Sequence, residues 1–274
     1  MLTEKEIINL NKLSKEIRKL MLEVLRPKES HHIGCAFSIV DILIYLYFEE
    51  IKVSPKNPKD SNRDIFLLSK GHAALALYAT LCQKGFFNKE RLSTYDQDGS
   101  DIPEHASIHV EGVELSTGSL GHALPVGLGF ATSFLNDKKK NKVYVLLSDG
   151  ELDEGSNWEA IMYAGYHKLN NLIAIVDKNG FQGYSDTEKV LDLSPLKKKI
   201  ENFDWEIFET DGHNFNQMKK IFSKVKKLRT KKPKMVIANT VKGKGIPYFE
   251  GRFDSHYKSI DAETKKKILS EFIK

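Results

Sequence analysis

Short, almost continuously apolar runs alternate along this chain with segments of helical periodicity. The apolar runs cover residues 64–69, 142–148, 171–177, 204–210 and 234–241. Such runs are typical of parallel strands, because helices bury both faces of a parallel sheet. Two helical patterns, at 4–25 and 38–49, precede the first run. We therefore predict an α/β fold with a parallel sheet, helices on both of its faces and additional N-terminal helices.

The composition is that of an ordinary soluble globular protein. The chain has 274 residues, of which 41% are hydrophobic and 29% charged, which is enough for one large domain over 1–274. It contains no apolar stretch long enough to span a membrane, and its N-terminus lacks the apolar run of a signal peptide. Cys35 and Cys82 lie far apart, without metal-binding spacing. We therefore expect a cytoplasmic protein with no membrane partner.

The charged residues show a modest basic excess. The formal net charge is +5, and lysines cluster at 138–140, 197–199, 231–232 and 265–267. Basic clusters can bind nucleic acid, but no aromatic residues are interleaved with these to stack on bases. We interpret them as solvated helix ends and turns, and we predict no nucleic-acid partner. A magnesium–nucleotide domain is disfavoured as well, because "KGKG" at 242–245 lacks the spacing of a phosphate-binding loop.

The segments "SDGELDEG" and "DKNGFQ" stand where two consecutive predicted strands end. In a parallel sheet those ends share one edge, so Asp149 and Asn179 can reach a single ion. A carboxylate and an amide oxygen, completed by phosphate oxygens and water, suit Mg²⁺ or Ca²⁺. Either segment alone would indicate only a turn. The ordered pair predicts a site for a cation and a phosphorylated ligand.

These two segments resemble the thiamine-diphosphate motif, in which an Asp-Gly pair is followed by a distant Asn. The resemblance to transketolase extends over roughly residues 5–258, with several motifs in one order: "SHHIG", "LLSKGHAALALYA", "PEHASIHVEGVELSTGSLGHALPVGLGFA", "DGELDEGSNWEA", "LNNLIAIVDKNG" and "ANTVKGKGIPYFEG". An ordered series is far more specific than any single motif. The resemblance implies a thiamine-diphosphate-binding fold and the transfer of a two-carbon ketol unit from a ketose to an aldose.

The resemblance assigns the cation and diphosphate contacts residue by residue. It implies that Asp149, Asn179 and the main-chain carbonyl of Phe181 hold Mg²⁺ or Ca²⁺ on the diphosphate of thiamine diphosphate. The backbone of Gly150 would approach the same diphosphate.

Three further positions match cofactor or interface residues of the family. Gly118 and Leu120 would contact the aminopyrimidine and thiazolium rings. Glu154 would lie near a subunit interface, where it contributes to catalysis and cofactor binding by linking two active sites. Its neighbours Glu151 and Asp153 have no such match, and we interpret them as charges at a helix N-terminus.

Four histidines match the active-site set of the family: His32, His72, His105 and His256. Imidazole titrates near neutral pH, so it suits the proton transfers that accompany breaking and forming a carbon–carbon bond. By resemblance, His32 and His72 handle substrate hydroxyl or carbonyl protons, and His105 binds the terminal hydroxyl of the ketose. His256 contacts diphosphate and substrate, and His72 also borders the cofactor. The other histidines, His213 among them, are expected in structural, surface or loop positions.

Three positions depart from the family pattern. Ser148 replaces the first glycine of the metal motif, and Ile33 replaces the proline of the motif at Ser30–Gly34. Ser255 precedes His256 where many relatives have tryptophan. We expect these changes to affect the approach to the cofactor, the loop that holds His32 and the acceptor pocket.

The resemblance also implies that half of the site is missing. Single-chain transketolases continue into a pyrimidine-binding domain, whose glutamate activates the cofactor, and into a further C-terminal domain. Neither fits into 274 residues. We therefore expect a second polypeptide that supplies these domains, with two copies of each chain as the simplest assembly, and sugars or sugar phosphates as substrates.

Other interpretations stay open. The chain could belong to another thiamine enzyme that acts on a 2-oxo acid, similar to deoxyxylulose-phosphate synthase. It could be a transketolase-like subunit specialised for an unusual sugar rather than for central pentose phosphates. It could also be a non-catalytic subunit that binds the cofactor only to hold a complex together.

Overall fold

The computed structural model describes residues 1–28 and 31–272, and within them a five-stranded sheet forms the centre of the fold. Its strands are β1 (Ile65–Leu68), β2 (Val143–Ser148), β3 (Leu172–Lys178), β4 (Glu206–Asp211) and β5 (Lys234–Asn239). They lie in the order β1-β2-β3-β5-β4, and all neighbours are parallel. Each apolar run of the sequence forms one of these strands, which confirms the predicted parallel sheet.

Helices connect the strands and cover both faces of the sheet, as predicted. In chain order they are α1 (Glu4–Val24), α2 (Ile33–Ser38), α3 (Val40–Tyr45), α4 (Ala74–Lys84), α5 (Lys89–Leu92), α6 (Ala123–Asn136), α7 (Gly155–Tyr166), α8 (Thr187–Val190), α9 (Leu196–Glu201), α10 (Phe215–Lys227) and α11 (Ala262–Glu271). Short 3₁₀ turns lie at Gly71–Ala73, Gly150–Asp153 and Phe253–His256. No helix in the described part of the chain is long and apolar enough to cross a membrane.

Alternate side chains of each strand enter two separate hydrophobic cores. On β2, Tyr144 and Leu146 face the core built with α1, α3, α4 and α10. Val143, Val145 and Leu147 face the core built with α6 and α7. Because both faces of the sheet are covered, the strand ends are the places where polar side chains can lie beside solvent.

The predicted helix over 38–49 is divided. It forms α3 and a π-helical turn at Leu46–Glu50, and a break at Ile39 separates it from α2. Next to this break, the Ser38 hydroxyl donates to the Asp177 carboxylate at 2.7 Å. The interruption therefore brings a polar side chain of a buried helix to the carboxyl end of β3.

A close backbone contact sets the buried side of α7. An added Cβ at Gly165 would lie 1.7 Å from the carbonyl oxygen of Phe203, so the helix packs there almost backbone to backbone. This contact fixes which side of α7 faces the protein. Met162 is 55% exposed and lies in the same helix as the exposed Tyr163 and Tyr166.

Candidate active site

The two predicted cation ligands lie close together at the carboxyl ends of β2 and β3. Ser148 pairs with Asp177 in the sheet register, so the loops that follow these residues leave the sheet together. The Asp149 carboxylate accepts a hydrogen bond from the Gly180 N–H at 2.6 Å, which joins the two loops directly. The structure thus brings Asp149 to the segment that carries Asn179.

A buried carboxylate fixes the orientation of Asn179. The Asn179 Nδ2 donates to Asp177 at 2.9 Å, and its Oδ1 accepts from the Phe181 N–H at 3.1 Å. Asp177 is fully buried and pairs with the buried Lys70, with 2.6 Å between Nζ and Oδ2. Because the amide nitrogen is held by Asp177, the amide oxygen points toward the loop of Phe181. Oxygen is the atom that a hard cation binds.

Asp149 carries the charge that a cation would neutralise. Burial, and then the neighbouring charge of Asp177, raise the pKa of the Asp149 carboxyl to about 6. Lys70 neutralises Asp177, whereas the hydrogen bonds to Asp149 come from the main-chain N–H groups of Gly150 and Gly180. A buried carboxylate beside an oriented amide oxygen is therefore a donor set that fits Mg²⁺ or Ca²⁺.

The four predicted histidines converge in one cluster. The ring centroid of His32 lies 5.1 Å from that of His72, 5.3 Å from that of His256 and 5.8 Å from that of His105. The four residues come from separate segments: the start of α2, the 3₁₀ turn after β1, the loop before α6 and the 3₁₀ turn at Phe253–His256. Their convergence is a property of the structure, and their chemical roles stay predictions.

Two further buried side chains border this histidine cluster. Cys35 Sγ lies 3.3 Å from His256 Nδ1, and Lys242 Nζ lies 3.1 Å from the same atom. Burial lowers the pKa of His72 to about 4, so its imidazole is neutral at pH 7. Although burial acts against ionisation, Lys242 and His72 lower the pKa of the Cys35 thiol well below its usual range. The cluster therefore places a neutral imidazole and a thiol of lowered pKa beside a buried lysine.

The histidine cluster and the predicted cation ligands are connected through the loop after β3. An added Cβ at Gly183 would lie 3.6 Å from His256 Nε2 and 2.8 Å from the Tyr257 hydroxyl. Gly183 follows Phe181 in the loop after β3. The loop that carries predicted cation ligands therefore touches the histidine cluster.

Glycines allow close approaches at two places beside these residues. An added Cβ at Gly118 would lie 3.3 Å from His105 Cδ2, so Gly118 borders the cluster, and Leu120 is partly buried nearby in the same loop. At Gly150 an added Cβ would lie 2.6 Å from Gln182 Cβ. A side chain there would push apart the two loops that bring Asp149 and Asn179 together.

The acidic segment after β2 contains one buried carboxylate. Glu154 is exposed at the start of α7, where a residue near an interface is expected. Glu151 lies in the 3₁₀ turn Gly150–Asp153, in line with the interpretation as a charge at a helix N-terminus, but it is fully buried. Its carboxylate accepts hydrogen bonds from the Ser69 hydroxyl and the Gly121 N–H. Residues distant in sequence bury the Glu151 side chain, and its hydrogen bonds connect the loop before α6 to the end of β1.

One histidine outside the predicted set is held firmly. His213 lies in a loop, as expected, but its Nδ1 is 2.8 Å from the buried Asp41 carboxylate, and its Nε2 accepts from the Val241 N–H at 2.9 Å. Asp41 also pairs with the buried Arg18. This network fixes the loop that leads to Lys242, and Lys242 in turn contacts His256 of the histidine cluster.

The positions that depart from the family pattern have local explanations. Ser148 ends β2, and its hydroxyl accepts from the Glu151 N–H at 3.2 Å, a contact that glycine could not make. Ile33 is buried in α2. Ser255 is buried, and an added Cβ at Gly34 would lie 2.1 Å from its hydroxyl, so a large residue at 255 would not fit this packing. Ser30 lies outside the described residues.

Comparison with known proteins gives matches over almost the whole chain. Residues 10–272 match the family model for the transketolase, thiamine diphosphate binding domain. The chain is 38% identical over 258 residues to a subunit of an apulose-4-phosphate transketolase from Phocaeicola vulgatus, covering 94% of this chain and 92% of that one. It is 37% identical over 268 residues to the 6-deoxy-6-sulfo-D-fructose transketolase subunit SqwG from a Clostridium species, covering 97% of each.

Solved structures show the same similarity at the level of the fold. The crystal structure of a transketolase from Campylobacter jejuni matches with a TM-score of 0.89 and 32% sequence identity. The match covers 96% of this chain and 42% of that one. The chain therefore spans about two fifths of the length of that transketolase.

Proposed function

Because the chain belongs to the transketolase family through its thiamine diphosphate binding domain, we propose that it is the diphosphate-binding subunit of a two-chain transketolase. In this proposal the enzyme transfers a two-carbon ketol unit from a ketose or ketose phosphate to an aldose or aldose phosphate. The observation that carries the proposal is the cluster of four imidazoles in contact with the loop after β3, which a hydrogen bond joins to Asp149.

Thiamine diphosphate and a divalent cation, Mg²⁺ or Ca²⁺, are the proposed cofactors. Asp149, the side-chain oxygen of Asn179 and the main-chain carbonyl of Phe181 would hold the cation, and Gly150 would border the diphosphate. The buried, uncompensated charge of Asp149 supports this assignment. The other proposed cofactor contacts are Gly118, Leu120, His72, His256 and Glu154.

Thiamine diphosphate, when bound, supplies the carbon nucleophile and carries the two-carbon unit between substrates. The chain itself supplies orientation and proton transfer. Because His72 is neutral at pH 7, its imidazole can accept a proton from a substrate hydroxyl, and His32 lies beside it at the centre of the cluster. His105, whose side chain is 44% exposed, suits binding of the terminal hydroxyl of the ketose. His256 suits contact with both diphosphate and substrate.

A second polypeptide is proposed to complete the site with a pyrimidine-binding domain and its activating glutamate. Two relatives that this chain covers over 92% and 97% of their lengths carry the word subunit in their names. An exposed apolar patch on α7, formed by Met162, Tyr163 and Tyr166, offers an interface for such a chain. Glu154 lies at the start of the same helix. Two copies of each chain would form the simplest assembly.

We place this assembly in the cytoplasm and assign residues 1–274 to one domain. Both cysteines are buried and free of disulfide bonds. Free thiols suit a reducing compartment.

An assay of ketol transfer with and without the partner chain tests the proposal. The donors are D-xylulose 5-phosphate, apulose 4-phosphate and 6-deoxy-6-sulfo-D-fructose, since relatives of this length are named for unusual sugars. We expect transfer from at least one donor when both chains, thiamine diphosphate and Mg²⁺ are present. Ketol transfer by this chain alone would contradict the proposal that a second chain is required. If the two chains together transferred no ketol unit from any ketose, the proposed transketolase reaction would be contradicted.

Two further measurements separate the alternatives. His72→Ala should abolish turnover while cofactor binding survives, with His109→Ala, a change at an exposed histidine, as the matched control. If the two-chain enzyme with His72→Ala were as active as the wild-type enzyme, the result would favour a non-catalytic role for this subunit. Consumption of pyruvate with an aldehyde phosphate, without ketol transfer from ketoses, would favour an enzyme that acts on 2-oxo acids.

A further inference from the structure

Glu104 lies against the centre of the histidine cluster, at a position to which the family resemblance gives no role. Its Oε1 is 3.1 Å from His32 Nδ1, and the two side chains are 23% and 17% exposed. Its Oε2 is 3.9 Å from His105 Nδ1. We propose that Glu104 is a positioning residue that holds His32 as the tautomer with hydrogen on Nδ1, which leaves the Nε2 lone pair free to accept a substrate proton.

The direction of this hydrogen bond follows from the charge of Glu104. The pKa of the Glu104 carboxyl is lowered chiefly by its hydrogen bond to His32. The carboxyl is therefore ionised at neutral pH. An ionised carboxylate can only accept, and therefore His32 Nδ1–H must donate. A neutral imidazole carries one hydrogen, so Nε2 is then the acceptor. Among the described residues, no side chain or main-chain group forms a hydrogen bond with Nε2.

The backbone holds His32 from the other side. His32 has left-handed dihedral angles, φ 55° and ψ 22°, which are unfavourable for a residue other than glycine. Its N–H donates to the His256 carbonyl at 2.9 Å. The main chain is thus anchored to the 3₁₀ turn at Phe253–His256, and the ring is anchored to Glu104. Two anchors on different segments leave the imidazole little freedom to rotate.

The groups that face His32 explain why a carboxylate is useful there. Their rings are those of His72, His105, His256 and Tyr257, and the charge of His31 also acts on Glu104. Among the described residues, Glu104 is the only carboxylate with a hydrogen bond to His32. Glu104 is therefore the group that can fix the orientation of this ring.

Nitrogen-15 spectra of the histidine side chains test the tautomer on the isolated chain, without any activity measurement. His32→Asn assigns the His32 signals, and spectra are compared for wild type, Glu104→Gln and Glu104→Ala at pH 8. We expect the single Nδ1–H form in wild type and a growing Nε2–H form in both variants. Glu104→Asp should restore part of the Nδ1–H form. Glu111→Gln, a change at an exposed glutamate in the following loop, is the matched control.

An Nε2–H form of His32 in wild type, or identical His32 spectra in all Glu104 variants, would overturn the proposal. Circular dichroism and thermal unfolding show that each variant is folded. A Glu104→Ala chain that fails to fold leaves the comparison of wild type with Glu104→Gln and Glu104→Asp decisive.

The kinetic consequence rests on the proposed function and is measured on the two-chain enzyme. We expect Glu104→Gln to lower kcat at least tenfold, since the wrong tautomer cannot accept the proton. An unchanged kcat would contradict the role of Glu104, whereas an inactive wild-type pair would contradict the proposed function and leave the spectra to decide the tautomer.

Discussion

Asp149 is the residue whose charge the fold leaves for a ligand to neutralise. Its neighbour Asp177 is buried with Lys70 as a close ion pair and receives further hydrogen bonds from Ser38 and Asn179. Among the described residues, the hydrogen-bond donors to the Asp149 carboxylate are main-chain N–H groups, and burial raises the pKa of this carboxyl to about 6. The metal-free chain therefore holds an unfavourable charge that binding of a cation would relieve.

The variant Asp149→Asn tests this arrangement. We expect metal-dependent binding of thiamine diphosphate to weaken by about 100-fold or more, because even residues outside the ligand shell contribute 10–100-fold. At pH 8 the metal-free variant should also be more stable than wild type, by up to about 3 kcal/mol, since a neutral amide avoids burying a charge. Calorimetric titration and urea unfolding measure the two effects. Asp153→Asn, the same change four residues away, is the control, and equal loss of binding in both variants would contradict the assignment.

The sequence predicted where Asp149 and Asn179 lie better than it predicted the residues that support them. Their placement follows from local rules, because apolar runs locate the strands and strand ends share one edge of a parallel sheet. The Lys70–Asp177 pair joins residues 107 positions apart, so no local pattern predicts it. The burial of Glu151 was not predictable for the same reason, since the residues that bury it come from two other loops.

At the scale of elements, one buried network joins the N-terminal helices to the loop after β5. Arg18 of α1 pairs with Asp41 of α3 at 2.9 Å and donates from Nε to the Lys244 carbonyl at 2.8 Å. Although burial acts against ionisation, Arg18 holds the pKa of the Asp41 carboxyl well below its usual range. The network fixes the loop that carries Lys242 next to His256.

Removal of one partner of the Arg18–Asp41 pair should therefore lower the stability of the fold strongly. We expect Arg18→Met to lower the free energy of unfolding by about 3–5 kcal/mol, because it removes the guanidinium that neutralises the buried Asp41 carboxylate. The double variant Arg18→Met/Asp41→Leu should recover most of this loss. Lys12→Met, an exposed change on the same helix, is the control. Urea unfolding measures all four proteins, and a loss below about 1 kcal/mol for Arg18→Met, the value of a surface pair, would contradict the network.

The same pair predicts a pH dependence of stability. The pKa of Asp41 is lowered by folding from an ordinary value of 3.8, so its ionised form stabilises the fold above about pH 4. This contribution is lost as the pH falls further, because the carboxyl must then be protonated. The difference in stability between wild type and Arg18→Met should therefore shrink below pH 4. A constant difference from pH 7 to pH 3 would show that Asp41 does not carry the effect.

Element boundaries were predictable only where hydrophobic pattern decides them. The five strands match the apolar runs, since burial on both faces demands nearly continuous apolar sequence. The break at Ile39 was not visible, because the residues around it are apolar on both sides and the polar contact of Ser38 lies on another segment. The exposure of Met162 on α7 was not predictable from the sequence, because the close approach at Gly165 is set by the Phe203 carbonyl.

At the scale of the whole molecule, the apolar patch of Met162, Tyr163 and Tyr166 is the surface proposed to meet another chain. Tyr166 is 80% exposed, so Tyr166→Asp should leave the fold of this chain unchanged. In an interface, an unpaired charge should weaken association at least tenfold. Analytical ultracentrifugation measures the association of the two chains. Ile8→Asp, a change at an exposed apolar residue of α1, is the control. Unchanged association in Tyr166→Asp would place the interface elsewhere.

The most direct test concerns the division of the site, in which this chain holds the cofactor's diphosphate while a second chain completes the pocket. The chain is titrated with increasing partner at saturating thiamine diphosphate and Mg²⁺, and the rate of ketol transfer is measured. We predict almost no transfer by either chain alone and a linear rise that ends sharply at one partner per chain. Substantial transfer by this chain without the partner, or none at any ratio with every ketose donor, would contradict this division.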